Sequence, residues 1–306
     1  MSLAYITWNA DPVAFNLPLI GEIRWYGIAF VLGFMIGLWI VQKIWKHEEL
    51  KEDWYDKLFF FVIVATIVGA RLGHVLFYNP GYYFSHPIEI LYFREGGLAS
   101  HGGTLGIIIA IWIYSKTVTK KSMLWTFDRL VVPVGFVAAL IRLGNLMNHE
   151  IYGHATNLPW GFRFIENLPS SLHGYAPIYS QPSHPTQLYE AAFYILTALI
   201  CLHLYWKNKD YKYEGLIFGV FLIGIFLSRF FVEFLKNNQE SFEDKLFLNM
   251  GQLLSIPFIV AGIWLAYRGL MEKRKAVPEL IEVEEKPKKK VPPENTSKKK
   301  PANKKR

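Results

Sequence analysis

The chain is predicted to be an all-α integral membrane protein with about seven transmembrane helices. Of its 306 residues, 52% are hydrophobic, and the mean hydropathy is positive at +0.19. The apolar residues come in blocks of about 20, the length that an α-helix needs to cross a hydrocarbon core of roughly 30 Å. Soluble domains reach an apolar fraction of about 45–50%, so the block pattern rather than the total predicts the membrane.

Charged loops and turn residues separate the predicted spans. Asn79-Pro80-Gly81 marks a turn after the second span, and a long loop, residues 150–183, separates the fourth from the fifth. Five of the spans cover approximately Arg24–Ile44 (first), Leu58–Tyr78 (second), Val131–Met147 (fourth), Gly215–Phe234 (sixth) and Leu253–Tyr267 (seventh). The third span follows the segment GGLASHGGTLG and ends at Tyr114. The fifth span begins with HPTQLYE and ends at Tyr205.

Lysine and arginine in the loops predict the orientation, because cytoplasmic loops carry an excess of both. The loops after spans one, three and five hold about eleven such residues, and those after spans two, four and six hold about four. The N-terminus is therefore expected outside the cell and the C-terminus in the cytoplasm. The loop 150–183 and the polar ends of spans four and six then form an outer-side loop region.

Residues 272–306 are predicted to form a basic, low-complexity cytoplasmic tail behind a membrane-embedded domain, residues 1–271. Residues 286–306 hold ten Lys or Arg and one Glu, whereas the whole chain carries +8, so the remainder carries −1. We expect a solvated tail attracted to the anionic lipid of the bilayer, rather than a specific partner site. Because the body of the protein is not basic, no nucleic-acid partner is expected.

No cofactor and no metal are expected from the motifs of the chain. A Walker motif, HExxH, GxSxG and CxxC are all absent, which counts against ATPase, metalloenzyme and hydrolase functions. The single cysteine, Cys201, lies in an apolar run and is expected to be a packed, inert thiol.

The stretch AALIRLGNLMNHEIYG places an arginine, Arg142, at the end of an apolar helical run. At 100° per residue Arg142, Asn145 and His149 share one helical face, and Glu150 and Gly153 lie near it if the helix persists. A guanidinium at membrane depth costs about 2.5–3.5 kcal/mol and does not deprotonate. An anion from the protein or from a substrate is therefore expected to meet it, with a snorkelling side chain as the alternative.

A second arginine, Arg229, lies in the sixth span, with Glu233 and Lys236 on the same helical face. A self-contained Arg229–Glu233 pair is one interpretation. The other interpretation is an anionic ligand shared by Arg142 and Arg229, because two guanidiniums can bind a phosphate with paired hydrogen bonds. Arg142 has no carboxylate four residues on, so its partner is expected to be Glu150 or a substrate phosphate.

Two further residues are expected on the same side of the membrane. His101 stands among glycines in SHGGTLG and can accept a proton near neutral pH, although a packed polar residue is the alternative. Tyr26 lies at the end of the first span, where an aromatic-belt anchor is the alternative. The fifth span begins with His184, Gln187 and Glu190 as polar groups entering the membrane, and helix capping is the alternative there.

Seven segments, in the same order, resemble those of the prolipoprotein diacylglyceryl transferases of the bacterial cytoplasmic membrane. The resemblance covers nearly all of residues 18–268, and the stretch 142–153 is similar to the family signature G-R-x-G-N-F-x-N-x-E-x-x-G. The segments are RWYGIAFVLGF, GARLGHVLFYNPGYY, EGGLASHGGTLG, IRLGNLMNHEIYG, HPTQLYEA, SRFFVEF and GQLLSIP.

The resemblance implies an enzyme of lipoprotein biosynthesis with its site toward the outer leaflet. It would move sn-1,2-diacylglyceryl from phosphatidylglycerol to the lipobox cysteine of an exported prolipoprotein, releasing glycerol phosphate, in the first step of lipoprotein maturation. The catalytic residues that it implies are Tyr26, His101, Arg142 and Arg229. For phosphatidylglycerol binding we expect Arg142, Asn145, Glu150, Gly153, Arg229 and Glu233.

The chain departs from the family pattern at four positions. Ile141 stands where the signature has Gly, Leu146 where it has Phe, His149 where Gly is common, and Lys236 at a second arginine. These departures bear on the outer rim contacts and not on the central arginines. The rival classes are a transporter or receptor with an anion site, and a scaffold, which a thiol-lipidation assay in vesicles would separate from the enzyme.

Overall fold

The computed structural model describes residues 5–18, 21–92, 97–237 and 247–285. Seven of its helices are long and apolar enough to cross a membrane, which confirms the predicted fold class. The α-helices are α1 (Trp25–His47), α2 (Glu52–Tyr78), α3 (Pro80–Ser85), α4 (Ser100–Tyr114), α5 (Met123–Met147), α6 (Leu168–Leu172), α7 (Thr186–Trp206), α8 (Leu216–Glu233) and α9 (Met250–Glu285). Single turns of other helix types cover Pro87–Leu91, Ser115–Thr119 and Asp210–Lys212.

The spanning helices extend beyond the predicted apolar runs where those runs end in charged residues. Helix α2 begins at Glu52 rather than at Leu58, and α5 begins at Met123 rather than at Val131. Long charged side chains can cover apolar surface while their heads reach water, so apolar content alone underestimates helix length. Helix α9 continues past residue 272. The basic segment 286–306 lies outside the described residues, so the tail stays a prediction.

A small cap of strands and loops adjoins one end of the helices and makes the fold not purely helical. The strands are β1 (Ile6–Thr7), β2 (Val13–Leu17), β3 (Gly21–Arg24) and β4 (Phe162–Arg163). Strand β1 pairs with β4 in parallel, and β2 pairs with β3 in antiparallel orientation. We call residues 5–24 and 148–185, as far as they are described, the cap.

The helices pack as neighbouring pairs: α2 with α4, α1 with α5, α5 with α7, α7 with α8, and α8 with α9. The largest buried apolar cluster lies at the end of the helices away from the cap, which we call the core end. Its fully buried members include Ile44, Ile111, Tyr114, Val132, Cys201 and Ile217. The end that adjoins the cap, with Tyr26, His101 and Arg142, is called the polar end.

A buried ion pair joins three helices at the core end. Arg129 donates from Nε and Nη2 to Glu48 Oε2 at 3.0 and 2.5 Å. The Tyr205 hydroxyl donates to the other oxygen of Glu48 at 2.6 Å. With both charged partners and a hydroxyl in place, the pair is compensated for its burial, and it links the end of α1 to α5 and α7.

Glycines bring α2 and α4 into backbone contact near His101. A Cβ on Gly73 would lie 2.6 Å from the Cα of Gly102. A Cβ on Gly106 would lie 3.1 Å from the Cα of Gly69 and 2.5 Å from the Ala65 carbonyl oxygen. Small residues permit such close helix approach in membranes, so this pair of helices is held together as a unit.

Helix α5 ends in a left-handed turn. His149 has a φ of 55°, and its N–H donates to the Leu146 carbonyl at 3.2 Å. The next N–H, that of Glu150, donates to the Asn145 carbonyl at 3.1 Å. These two bonds define the Schellman helix end, in which the left-handed position is usually glycine. The frequent glycine of the family at position 149 is thereby explained.

The helical face expected to run from Arg142 through His149 therefore stops at Asn145. His149, Glu150 and Gly153 do not continue it, because the left-handed residue reverses the chain and brings Glu150 back over the helix end. A non-glycine residue in this conformation costs about 1–2 kcal/mol. The expectation for His149 was wrong because periodicity assumes an uninterrupted helix, and the condition set for Glu150 and Gly153, that the helix persists, is not met.

The ring of His149 fastens the cap to the end of α5. Its Nε2 donates to the Ala10 carbonyl at 2.9 Å, and its Nδ1 accepts from the Ile165 N–H at 3.1 Å. Only the neutral imidazole can donate from one nitrogen and accept at the other. Burial lowers the pKa of His149 below its ordinary value of 6.5, although the Ala10 bond acts in the opposite direction.

Replacing Gly106 by alanine is expected to destabilise the protein by about 1–3 kcal/mol, because the new methyl group overpacks the α2–α4 contact. Gly27→Ala is the control: no atom lies within 4 Å of the added carbon, and alanine favours the helix. Thermal unfolding in detergent measures both. Equal midpoints for the two variants would contradict a tight α2–α4 contact.

Stability is expected to fall as the pH drops below 6.5, with His149 as one cause. Because folding lowers its pKa, the contribution of His149 is complete above 6.5. It declines as the pH falls toward the folded pKa, since the unfolded state takes up the proton first. Unfolding midpoints between about pH 5 and 8 should depend less on pH in His149→Gln. The exposed His173, which contacts the Pro169 carbonyl, provides the control His173→Gln; equal slopes in both variants would contradict a ring held neutral.

Candidate functional site

Arg142 extends from the polar end of α5 toward α7. Its Nε lies 3.0 Å from Glu190 Oε2, and its Nη1 donates to Asn145 Oδ1 at 3.2 Å. The Glu190 oxygen is within ion-pair distance, but it has no aligned hydrogen bond. The carboxylate in direct contact with Arg142 is therefore Glu190. The expected protein partner, Glu150, is joined to Arg142 indirectly, because Asn145 bonds to both side chains.

Asn145 forms hydrogen bonds with both Arg142 and Glu150. Its Nδ2 donates to Glu150 Oε1 at 2.7 Å, and Asn148 Nδ2 lies 3.2 Å from the same oxygen. Gln187 at the start of α7 donates to the backbone carbonyl of Glu150 at 2.7 Å. The turn after α5 is thus fastened both to its own helix and to α7, which fixes the Glu150 carboxylate near the arginine.

Tyr26 at the start of α1 closes another side of this site. A Cβ on Gly144 would lie 2.8 Å from the Tyr26 ring, so the glycine admits the tyrosine against α5. The structure therefore brings Tyr26 together with the α5 stretch.

Gly153 permits a close backbone approach. An added Cβ would collide with the Leu235 carbonyl oxygen and lie 2.9 Å from Thr186 Cγ2. The Gly153 N–H donates to the His184 carbonyl at 2.9 Å, and the residue pairs with Lys236 in an isolated antiparallel bridge. Any side chain at Gly153 would push the segment after α8 away from the site.

The second arginine belongs to a shared arrangement, not to a self-contained pair. Arg229 Nε lies 3.6 Å from Glu233 Oε1, and Lys236 Nζ donates to that same oxygen at 3.1 Å. Asn249 Nδ2 lies 3.4 Å from the other oxygen of Glu233. Arg229 Nε has no hydrogen-bond partner within the described ranges. Glu233 therefore accepts from Lys236 and Asn249, and Arg229 is held only by a longer ion pair.

Glu190 and Lys236 connect the two arginines, so the expectation that Lys236 bears only on outer rim contacts was wrong. Lys236 Nζ donates to Glu190 Oε1 at 3.0 Å, and the side chains of Glu190 and Lys236 are only 0% and 4% exposed. Contacts therefore run without interruption from Arg142 through Glu190, Lys236 and Glu233 to Arg229. We call these five residues the charge cluster. In the sequence, Glu190 stands out as a carboxylate near the start of the predicted fifth span, but its ion-pair partners could not be identified there.

The charge cluster is not neutral. It holds three cationic side chains, Arg142, Arg229 and Lys236, against two carboxylates, Glu190 and Glu233. Glu150 is the next carboxylate, and Asn145 separates it from the nearest arginine. Each cation contacts a carboxylate, but three positive charges share two negative ones, so the cluster keeps a net charge of +1 and can accept a monoanion.

His101 belongs to the α2–α4 unit and is not a member of the charge cluster. It is exposed at the start of α4, with ring centroids 5.3 Å from Phe77 and 5.8 Å from Tyr78. Within the described residues no hydrogen bond or ion pair joins His101 to Arg142 or Arg229. The structure places the histidine on the α2–α4 unit, accessible from outside the protein.

Among the residues that the structure describes, no group of three or more His, Cys, Asp or Glu side chains is arranged to hold a metal ion. Cys201 is fully buried in the core-end cluster, at the far end of the helices from the charge cluster. This position agrees with the expected packed thiol.

The chain matches the sequence profile of the prolipoprotein diacylglyceryl transferase family over residues 12–268. A phosphatidylglycerol–prolipoprotein diacylglyceryl transferase of Porphyromonas gingivalis is 55% identical over 276 residues, which cover 87% of this chain and 95% of the relative. Proteins of the same name from Chloroherpeton thalassium and Bacteroides fragilis are 41% and 40% identical, and cover 88% and 87% of this chain and 96% and 95% of the relatives. The chain therefore belongs to the prolipoprotein diacylglyceryl transferase family.

Proposed function

We propose that this chain transfers the sn-1,2-diacylglyceryl group of phosphatidylglycerol to the thiol of the lipobox cysteine of a prolipoprotein and releases glycerol phosphate. Membership of the family and the names of its relatives support this reaction. Seven membrane-spanning helices support a lipid substrate that reaches the site from the bilayer.

The observation that carries the proposal is the unbalanced positive charge of the charge cluster. The phosphodiester of phosphatidylglycerol brings one negative charge, which would complete the balance. Guanidinium and phosphate form short paired hydrogen bonds, and such contacts strengthen away from water. Arg142 and Arg229 are the two groups of the cluster with the geometry to make them.

In the proposed reaction the cysteine thiolate attacks the sn-3 carbon of the diacylglyceryl group. A C–S bond forms as the C–O bond to the phosphate breaks, and the electron pair of that bond leaves with the oxygen. Negative charge therefore grows on the departing glycerol phosphate. Guanidiniums that already face the phosphate stabilise this charge without reorganising, which is the role that we assign to Arg142 and Arg229.

The remaining polar groups would bind the headgroup of the lipid. Glu150 and Glu233 can accept hydrogen bonds from its glycerol hydroxyls, and the Tyr26 hydroxyl can donate to the phosphate. Asn145 orients Arg142, and Gly153 lets the segment after α8 lie close to the site. We assign phosphatidylglycerol binding to Arg142, Asn145, Glu150, Gly153, Arg229 and Glu233.

His101 would take the proton of the incoming thiol. A free cysteine is mostly protonated at neutral pH, and the thiolate is the nucleophile. An exposed imidazole near the membrane surface can act as the base. Because His101 packs against Phe77 and Tyr78 of α2, the prolipoprotein cysteine would approach from the α2–α4 side while the lipid phosphate sits at the arginines.

We place the protein in the bacterial cytoplasmic membrane with the polar end toward the outer leaflet. The distribution of loop lysines supports an N-terminus outside and a C-terminus in the cytoplasm. An exported prolipoprotein presents its cysteine on that outer side, so the orientation fits the reaction.

Arg142→Lys is expected to lower lipid transfer by about 10- to 100-fold, since lysine keeps the charge but loses a charged hydrogen bond of the guanidinium fork. Arg142→Ala should lower transfer further, and Arg229→Lys should resemble Arg142→Lys. The measurement is transfer from phosphatidylglycerol vesicles to a lipobox peptide by folded, purified variants.

Arg163→Lys is the control for these arginine variants. This cap arginine contacts the Ser180 carbonyl and the rings of Tyr5 and Tyr179, outside the charge cluster, and it should leave transfer near the wild-type rate. Near wild-type transfer by Arg142→Ala would mean that the arginine is structural, and the proposed function would lose its main support.

The orientation predicts which segments are accessible from each side. A reporter fused after Ala276 should be cytoplasmic. A tag inserted at Gly174, where nothing lies within 4 Å of an added side chain, should react with a membrane-impermeant reagent added to spheroplasts. Labelling with the opposite sidedness would reverse the orientation and remove the site from the outer leaflet.

A further inference from the structure

Glu190 is a buried carboxylate in contact with a proposed catalytic arginine, and nothing above gives it a role. We propose that Glu190 is a positioning residue that fixes the guanidinium of Arg142 so that its remaining N–H groups face the phosphate. The inference rests on the proposed function and deepens it, because it gives the α7 member of the charge cluster a part in the reaction.

Burial makes the charge of Glu190 depend on its neighbours. The side chain is 0% exposed within a membrane-spanning helix, where an isolated carboxylate is strongly disfavoured. Its two oxygens contact different cations: Oε2 lies 3.0 Å from Arg142 Nε, and Oε1 accepts from Lys236 at 3.0 Å. The Tyr194 hydroxyl lies 3.4 Å from Oε1. A carboxylate is compatible with this position because both oxygens face positive charge.

Two contacts restrict the guanidinium of Arg142. Glu190 Oε2 lies 3.0 Å from Nε, and Asn145 Oδ1 accepts from Nη1 at 3.2 Å. An arginine has five N–H donors in a rigid plane. Fixing one edge therefore sets the direction of the others, and the 17% exposure of the Arg142 side chain leaves part of the group accessible. A ligand phosphate would meet donors that are already oriented.

A competing explanation is that Glu190 only neutralises Lys236. The Lys236 side chain is 4% exposed, and without Glu190 its ammonium would keep a single carboxylate contact, Glu233, at 3.1 Å. In that case the transfer rate would depend on the balance of charge and not on the orientation of Arg142. The two explanations differ in what happens when Lys236 is removed together with the carboxylate.

The test compares Glu190→Gln with Glu48→Gln, which removes the carboxylate of the Glu48–Arg129 pair at the core end. Both substitutions are nearly isosteric and both break a buried ion pair, so both should lower the unfolding midpoint. Only Glu190→Gln should lower kcat per folded molecule, by about 10- to 100-fold. Its KM for phosphatidylglycerol should stay within about threefold, because the lost interaction belongs to the transition state.

The double variant Glu190→Gln/Lys236→Met separates orientation from neutralisation. It removes the ammonium together with the carboxylate charge, so it should restore transfer if Glu190 only neutralises Lys236. We expect it to remain as impaired as Glu190→Gln, and restored transfer would overturn the proposal. Glu190→Asp keeps the charge and shortens the side chain; it should fold and show an intermediate loss of kcat even if Glu190→Gln does not fold.

The outcomes distinguish this inference from the proposed function. Wild-type transfer together with loss in Arg142→Ala supports the function, and wild-type kcat in folded Glu190→Gln or Glu190→Asp then overturns only the role of Glu190. An equal loss of kcat in Glu48→Gln would also overturn it, because any buried ion pair would then have the same effect. Absence of transfer by the wild type would overturn both.

Discussion

The ion pair between Glu190 and Arg142 is the interaction on which the polar end of this protein depends. A guanidinium cannot lose its charge in the membrane, and a carboxylate is costly there without a cation. Each therefore requires the other. The same carboxylate holds Lys236, which holds Glu233, which in turn contacts Arg229. Three helix ends are joined by charge, and the one cation in excess creates a place for a phosphate.

The two ends of the helices are built on different interactions. At the core end large apolar side chains fill the interior, and the buried Glu48–Arg129 pair has no excess cation. At the polar end the helices meet through glycines and fixed backbone contacts, as Gly144 does with Tyr26 and Gly153 with the Leu235 carbonyl. Such contacts keep polar groups in place without filling the space that a substrate needs. The packed core end therefore holds the helices in place, and the polar end can keep an accessible site.

The turn after α5 illustrates how one local conformation affects the site. A left-handed residue is needed for the chain to reverse over Asn145, and glycine would supply it at no steric cost. This chain has His149 instead, and both of its ring nitrogens bond to the cap. These bonds help to offset the strain of the backbone, so the departure from the family pattern attaches the cap to the end of the helix.

The sequence by itself determined the membrane class, the seven spans and the two arginines, because apolar blocks and isolated charges within them are properties of local composition. Family membership followed from ordered motifs. Only the tertiary structure decided that Glu190 is the direct partner of Arg142, that Lys236 bridges the two carboxylates, and that His101 lies on a separate helix pair. Helical spacing relates residues within one helix, whereas these contacts join residues of different helices, whose rotation and approach are set by packing. The helix end at His149 also escaped periodicity, because a single left-handed residue changes the direction of every side chain that follows it.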